Sequence, residues 1–488
     1  MSAILCHTNI SEVVSKYQPK PVQNFTLTPG KFLVSLTWED PVDYTEEGYT
    51  CTWAKTVVVR KQGGYPNDIH DGNIVVTTVE RDKYKTSGYV DAGLTAGETY
   101  YYRVFACSTD GVYSEPAEGS AVPVQYRIMT VKMDFDKAIL ATGASYADDA
   151  VDMESGKTDS ATTMWQKFFG YKPCLFKDGK VVGYLNPNDF TKFEDGSTAD
   201  ITSGNAGDVM IQFPRKGVHI SKSENIITVS MTDDPNDSSF KYYAHQRGSV
   251  DKDYFYLGAY DGWVSGKRLR SLSGKTPAVS TLLADFDKYG KANGTGYGCM
   301  GYYQWLFLQV MYILQFKGDL NSQSTVGNGN CNGGSIKNTG RSNTKGMIYG
   351  DNSVAKLFGI EDAWGNMEQL VNNYFTSSKF HVTSTTDDTI TDVNKYTDRG
   401  PGYGRADSGG NFYSECMGTT ESGFTPTYGS FYGSATTGFC DYGAVSSRRA
   451  PTVGGNFGNG DRIGLFYFSV GYKPGEISSD TGSRLGYL

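Results

Sequence analysis

The sequence predicts a β-rich α+β protein, and three observations carry that reading. Glycine and tyrosine are abundant, 59 and 35 of 488 residues, while proline is held to 16. Apolar residues alternate with period two in short runs over the first quarter of the chain. One longer apolar run, Tyr302 to Phe316, has the length of a buried helix. Apolar content of 38%, with 14% aromatic residues, suffices for packed interiors, so global disorder is not expected. A chain of this length exceeds one small core and fits about two to four domains.

Taken in order, residues 1–19 read as a lead-in and attachment segment. Ile10 to Tyr17 could form a helical turn or two before Pro19 and Pro21 break it. Met1 to Cys6 has neither a basic start nor an apolar stretch, so no signal peptide is expected and synthesis in a reducing cytoplasm is. The eight cysteines contain no C-x-x-C pair, which points to buried free thiols rather than a zinc knuckle or a disulfide scaffold.

Residues 20–126 read as short strands. Phe32 to Trp38 alternates, Thr56 to Arg60 reads as a central strand, and Leu94 to Ala106 is a turn feeding a strand that carries Tyr100, Tyr102, Val104 and Ala106 on one face. Residues 127–488 are less regular. Thr162 to Phe169 predicts a helix, and Pro173 to Leu185 a hairpin turning at Asp178-Gly179. Strands are expected at Val209–Phe213, Ile226–Ser230 and Tyr254–Tyr260, with a sub-boundary near residue 250. The Tyr302–Phe316 run would span about 22 Å as a helix, short of a membrane's ~30 Å, and it carries three glutamines, so a buried core helix is expected and no membrane insertion. Polar, Thr-, Asp- and Gly-rich residues 375–430 read as long loops.

Residues 20–126 resemble a fibronectin type III domain through Trp38, the Leu94-to-Tyr100 spacing of a tyrosine corner, and the Tyr-x-Tyr-Arg-Val-x-Ala strand. Gly359-Ile-Glu-Asp-Ala-Trp-Gly-Asn-Met-Glu-Gln-Leu-Val371 resembles a segment of C-type-lectin-like domains of the formylglycine-generating-enzyme type. The tail, with Ser447-Arg448, Val453-Gly454-Gly455, Gly464-Leu465-Phe466 and Gly482-Ser483-Arg484-Leu485, is similar to that family's closing pattern. Together with Leu272 to Pro277 and the Tyr302–Phe316 run, this stretch looks like tail-tip and tail-fibre proteins of phages and prophages of gut bacteria. The resemblance implies a fibronectin type III β-sandwich followed by a large C-type-lectin-like α+β domain.

That resemblance implies a ligand-contacting face in C-terminal loops. The matching positions are Asn456, Phe457, Asn459, Asp461, Arg462, Phe466, Tyr467, Phe468 and Tyr472, joined by a second aromatic set of Tyr403, Phe412, Tyr413, Phe424, Tyr428, Phe431, Tyr432, Phe439 and Tyr442, from which Tyr428, Tyr432 and Tyr442 are taken as contact residues. Rigid aromatic rings and small polar side chains suit a recognition surface. About half the aromatics are expected in the core: Phe466 and Phe468 share one strand face, which leaves Tyr467 as the exposed one.

Other chemistries find weaker support. The five histidines are scattered, and no G-x-S-x-G elbow or phosphate loop occurs. Cys416 and Cys440 lack the flanks of the oxidase cysteines, and Glu361-Asp362 are adjacent and would point apart in a strand. Asp233 to Asp237 is an oxygen-rich turn and the one candidate for a structural calcium; otherwise no metal or cofactor is expected. Lys267-Arg268-Leu269-Arg270 with Lys275 reads as a solvated basic loop. The formal net charge of −8 with no basic block argues against nucleic acid.

The expected function is therefore non-catalytic: a phage or prophage tail receptor-binding protein, part of a virion, that recognises a glycan or protein on a bacterial surface and sets host range. The N-terminus would join other tail or baseplate proteins, and a homotrimer is expected. A tail-borne glycan hydrolase or depolymerase, or a purely structural baseplate or fibre component, remain as alternatives.

Overall fold

A computed structural model describes residues 18–135, 143–377, 381–387, 390, 392–401, 411–427, 433–445, 449–473 and 475–488. The chain divides into two compact units, Met1–Tyr126 and Arg127–Leu488. Strands dominate both, mostly in antiparallel sheets. The helical turns expected at Ile10 to Tyr17 lie outside the described residues.

The first unit has a three-stranded sheet, ordered Gln23–Gly30, Leu33–Glu39, Tyr89–Ala92, and a four-stranded sheet, ordered Asn73–Thr78, Trp53–Gln62, Tyr100–Ser108, Ala117–Ala121. Val34, Leu36 and Trp38 from the first and Val58, Tyr102, Val104 and Ala106 from the second share one core. A polar tie crosses it: Asp91 accepts from Arg60 at 2.7 Å and from Tyr102 Oη at 2.9 Å. Tyr100 folds back so that its hydroxyl accepts the Thr95 amide at 3.0 Å.

The second unit is built round the helix Tyr302–Gln315, every residue of which is buried. A helix apolar on all sides needs partners on all sides. Phe307 meets Phe213 and Phe255 of a seven-stranded sheet, while Tyr302 and Tyr312 meet Phe468 and Phe466 beside a six-stranded one. All three glutamines of the helix are used. Gln304 accepts from the Gly301 amide at 2.9 Å, Gln309 donates to the Leu465 carbonyl at 3.0 Å, and Gln315 donates to the Gly156 carbonyl at 3.0 Å.

The seven-stranded sheet runs Asp189–Phe193, Lys180–Asn186, Lys172–Lys177, Asp208–Pro214, Tyr254–Gly258, Leu485–Tyr487, Tyr297–Cys299. The expected hairpin turns at Asp178 and Gly179, whose φ angles of 51° and 76° fit a tight primed turn. This sheet also corrects the expected sub-boundary near 250. Asp208–Pro214 pairs with Tyr254–Gly258, which pairs with the C-terminal Leu485–Tyr487, so no division falls there.

The six-stranded sheet runs Asn411–Phe412, Tyr442–Val445, Phe468–Tyr472, Ala450–Val453, Glu368–Leu370, Thr481–Gly482. A second correction concerns residues 375–430. Their described part is not loop throughout, because Tyr374–Thr376, His381–Ser384 and Thr397–Pro401 form a three-stranded sheet. Its threonine-rich strands carry too few apolar side chains to show a period. No helix among the described residues is long and apolar enough to cross a membrane.

Candidate functional site

The segment that follows Phe358 is a tightly wound scaffold. Asp362, Gly365 and Asn366 all take positive φ, and Asp362 leaves the strand that Glu361 ends. The two adjacent carboxylates therefore meet different partners. Glu361 accepts from the Gly340 and Ser342 amides at 2.6 and 2.7 Å, and Asp362 pairs with Arg341.

Arg484 fills the centre of this scaffold with no exposed surface. It donates to Asp261 at 2.8 Å, to Gln369 Oε1 at 2.9 Å, and to the carbonyls of Gly258 and Glu361 at 3.0 and 2.8 Å. Burial pushes the Asp261 carboxyl up to about 6, with the Arg484 charge opposing the shift. Asn366 bridges Asp261 and Asn330, at 2.9 Å each. The motif residues from 359 to 371 and 482 to 485 thus make a buried polar frame, not a surface.

The C-terminal loop rests on a second buried carboxylate. Glu368 accepts from Thr452 Oγ1 at 2.6 Å, Tyr467 Oη at 3.0 Å and Asn456 Nδ2 at 3.3 Å. Burial raises its pKa, with these three donors pulling it back. Gly455 has φ +66°, and a Cβ there would lie 2.0 Å from Ile463 Cγ2. At Gly464 the limit is space: a Cβ would meet Ser322 Oγ at 2.4 Å. The loop is pinned sideways by Gly460 N to the Cys331 carbonyl at 3.1 Å and by Gln323 to the Gly460 carbonyl at 3.0 Å.

Two expected contact residues are corrected by this geometry. Tyr467 is only 9% exposed. Period-two alternation needs a solvated face, but Leu465, Phe466 and Phe468 pack on the core while Tyr467 packs with Cys331 and Ile463 and reaches Glu368. Asn456 is likewise buried, its amide spent on Glu368 and on Asp480 at 2.8 Å. Tyr472 lies beside Ala450, four residues along the strand from Phe468, which pairs with Val453 next to the loop. That is about 13 Å away, so its backbone is remote from the others. Tyr403, Tyr428, Phe431 and Tyr432 lie outside the described residues.

The remaining expected residues do come together. Asp461 and Arg462 are exposed on a short 3-10 turn, and Phe457 and Asn459 are half-buried beside it. Asn459 Oδ1 accepts the Asn456 amide at 2.7 Å, which closes the loop on itself. The Arg462 guanidinium lies 5.1 Å from the ring centre of Tyr442, and Tyr442 meets Phe412 edge-on at 4.5 Å. The result is a hydrogen-bonded ledge that exposes one acid and one base beside the half-buried rings of Phe457 and Tyr442. Tyr413, Phe424 and Phe439 of the second aromatic set are core.

Sequence reasoning missed the anchors. Asp441, whose carboxylate accepts the Phe466 amide at 2.8 Å, is buried with its pKa well raised by desolvation, and no motif marks it. Elsewhere, the acidic turn at 233–237 is engaged within the fold. Asp233 pairs with Arg127, and Asp234 and Asp237 accept from the Asn236 and Ser239 amides. In the basic loop, Arg270 is drawn inward to Asp208 at 3.0 Å, and Lys275 sits over Trp263 at 4.9 Å. The seven described cysteines are buried free thiols.

Comparison with known proteins adds little. No family model and no curated protein matches the chain. Among solved structures, titin kinase with its flanking domains aligns at 12% identity over 44% of this chain and 37% of that one, with a TM-score of 0.17. The twitchin kinase region from C. elegans aligns at 12% identity over 44% and 39%, also at 0.17. The chain thus spans well under half the length of either, and likenesses this weak carry no argument about fold or function.

Proposed function

We propose that this protein is a phage or prophage tail receptor-binding protein, with a fibronectin type III spacer and a C-type-lectin-like head that recognises a bacterial surface receptor without chemistry of its own. The observation that carries the reading is the ledge at 456–462. Its backbone is tied by the Asn459 side chain, the Cys331 carbonyl and Gln323, while Asp461 and Arg462 are exposed and Arg462 lies over the Tyr442 ring. A loop whose backbone is tied before contact loses less freedom on binding, which suits recognition. The Tyr100 hydroxyl on the Thr95 amide and the paired three- and four-stranded sheets support the spacer. The buried frame round Arg484 supports the head, because loops that vary need a scaffold beneath them held by paired polar groups.

In this reading the head works as a homotrimer on the virion, where several weak contacts add to avidity, and the N-terminal segment meets other tail proteins. The test is saturable binding of the full chain to bacterial cells of candidate hosts, with assay of reducing ends released from their surface polysaccharide. Binding without release supports the proposal. Release of sugar ends would replace it with a tail-borne hydrolase.

A further inference from the structure

A cavity of about 170 Å³ opens between the helix Leu283–Lys291, the strand Tyr374–Thr376 and the residues Ile390, Val393 and Tyr396. Its walls are chiefly aromatic and aliphatic: Phe375 and Tyr396 contribute rings, Tyr374 turns its own ring the other way onto Tyr302 and Phe468, and Ala284 stands at the edge. Two polar side chains face it from one side, Asp287 and Asn372, and the same two border a smaller neighbouring cavity of about 40 Å³. Both are held in place. Asp287, 9% exposed, is fixed by Lys291 Nζ at 2.6 Å. The Asn372 backbone is clamped between Met300 and Tyr302, and its Oδ1 accepts the Asn373 amide at 2.9 Å.

The lining selects its occupant by size and polarity. An apolar cavity of about 150 Å³ accepts one benzene-sized ring, so this volume suits one ring. The aromatic faces favour a flat π-system, offset or edge-on. Asp287 already has a cationic partner in Lys291, which disfavours a second full positive charge, yet a carboxylate keeps acceptor sites for a neutral O–H or N–H donor. The Tyr396 hydroxyl is pushed up to about 12 by burial, then by Asp287 and Cys299, as expected of a ring enclosed beside that carboxylate.

We propose that this cavity binds a single aromatic ring bearing one hydrogen-bond donor, a phenol or an indole, with the ring between Phe375 and Tyr396 and the donor on Asp287. The site goes beyond the receptor reading and does not depend on it.

The test is ligand-observed NMR on the full chain with p-cresol and indole, and with toluene as the ring that lacks a donor. Saturation transfer to p-cresol and indole is expected, each displacing the other, with toluene at least about tenfold weaker for want of one hydrogen bond. Ala284→Trp, which fills the cavity from an exposed helix position, should abolish p-cresol transfer, and Tyr396→Leu should weaken it about tenfold. Absence of transfer to both donors in the folded protein overturns the proposal. So does toluene binding as well as p-cresol, a comparison that needs no variant, or p-cresol transfer that survives a folded Ala284→Trp. N-acetyl-tyrosinamide separates two sources of the ring. Binding as tight as p-cresol indicates a side chain of a partner protein, and exclusion indicates a free small molecule.

Discussion

At the residue scale, the tail divides sharply between side chains that hold and side chains that present. Arg484 holds: replacing it with Met would leave Asp261 fully buried without its charge partner. Loss of one member of such a pair costs about 3–5 kcal/mol, so a urea melt of Arg484→Met should show a loss of that size, and a loss under about 1 kcal/mol would contradict the frame. Tyr467→Phe keeps the ring but takes a donor from buried Glu368, which should cost about 1–3 kcal/mol. Gly455→Val places branched carbon against Ile463 at a positive φ and should unfold the ledge. Arg462→Ala removes an exposed side chain that lies over the Tyr442 ring, and should change stability by no more than about 0.5 kcal/mol.

At the scale of elements, what could be read from the sequence depended on how many sides each element hides. The helix at 302 was legible because fourteen residues without a solvated face leave few alternatives. The hairpin at 178 was legible because Asp-Gly has a specific turn chemistry. Tyr467 was not, since alternation assigns faces only where one face meets water, and here both are covered. The cavity at Asp287 was invisible for another reason: its walls come from four segments distant in sequence. The first unit gives an element-level test. Tyr100→Phe removes the bond to the Thr95 amide and should cost about 1 kcal/mol, while Tyr100→Ala also empties an aromatic core site and should cost about 3–5 kcal/mol. Equal losses in the two variants would show that the hydroxyl, not the ring, carries the corner.

The core between helix and seven-stranded sheet also carries a pH signature. His245 is wholly buried against Phe255 and Phe307, and desolvation lowers its pKa from 6.5 to about 3. A base depressed in the folded state contributes stability that is complete above its unfolded value near 6.5 and is lost progressively as pH falls toward 3. Relative to His245→Phe, the wild type should therefore lose about 1.4 kcal/mol per pH unit below 6.5. Urea melts of both proteins at pH 7, 6 and 5 check the sign, and a pH-independent difference would show that folding does not lower the pKa of the ring.

At the scale of the whole molecule, the proposal joins a spacer, a head and an assembly. The fragment 20–126 should fold alone with a β-type circular-dichroism spectrum, because its core is closed by its own two sheets. Light scattering of the full chain should give three times the 53.4 kDa chain mass, and a species of one chain mass at micromolar concentration would count against the trimer. The central claim is that the ledge at 456–462 contacts a receptor. Flow cytometry of labelled full chain on a panel of gut bacteria measures this directly, with Arg462→Ala and Asp461→Ala beside the wild type. The account predicts saturable wild-type binding to at least one strain, weakened by about 1–3 kcal/mol in Arg462→Ala with thermal stability unchanged. Wild-type binding that neither substitution weakens, or no binding to any strain, would contradict it.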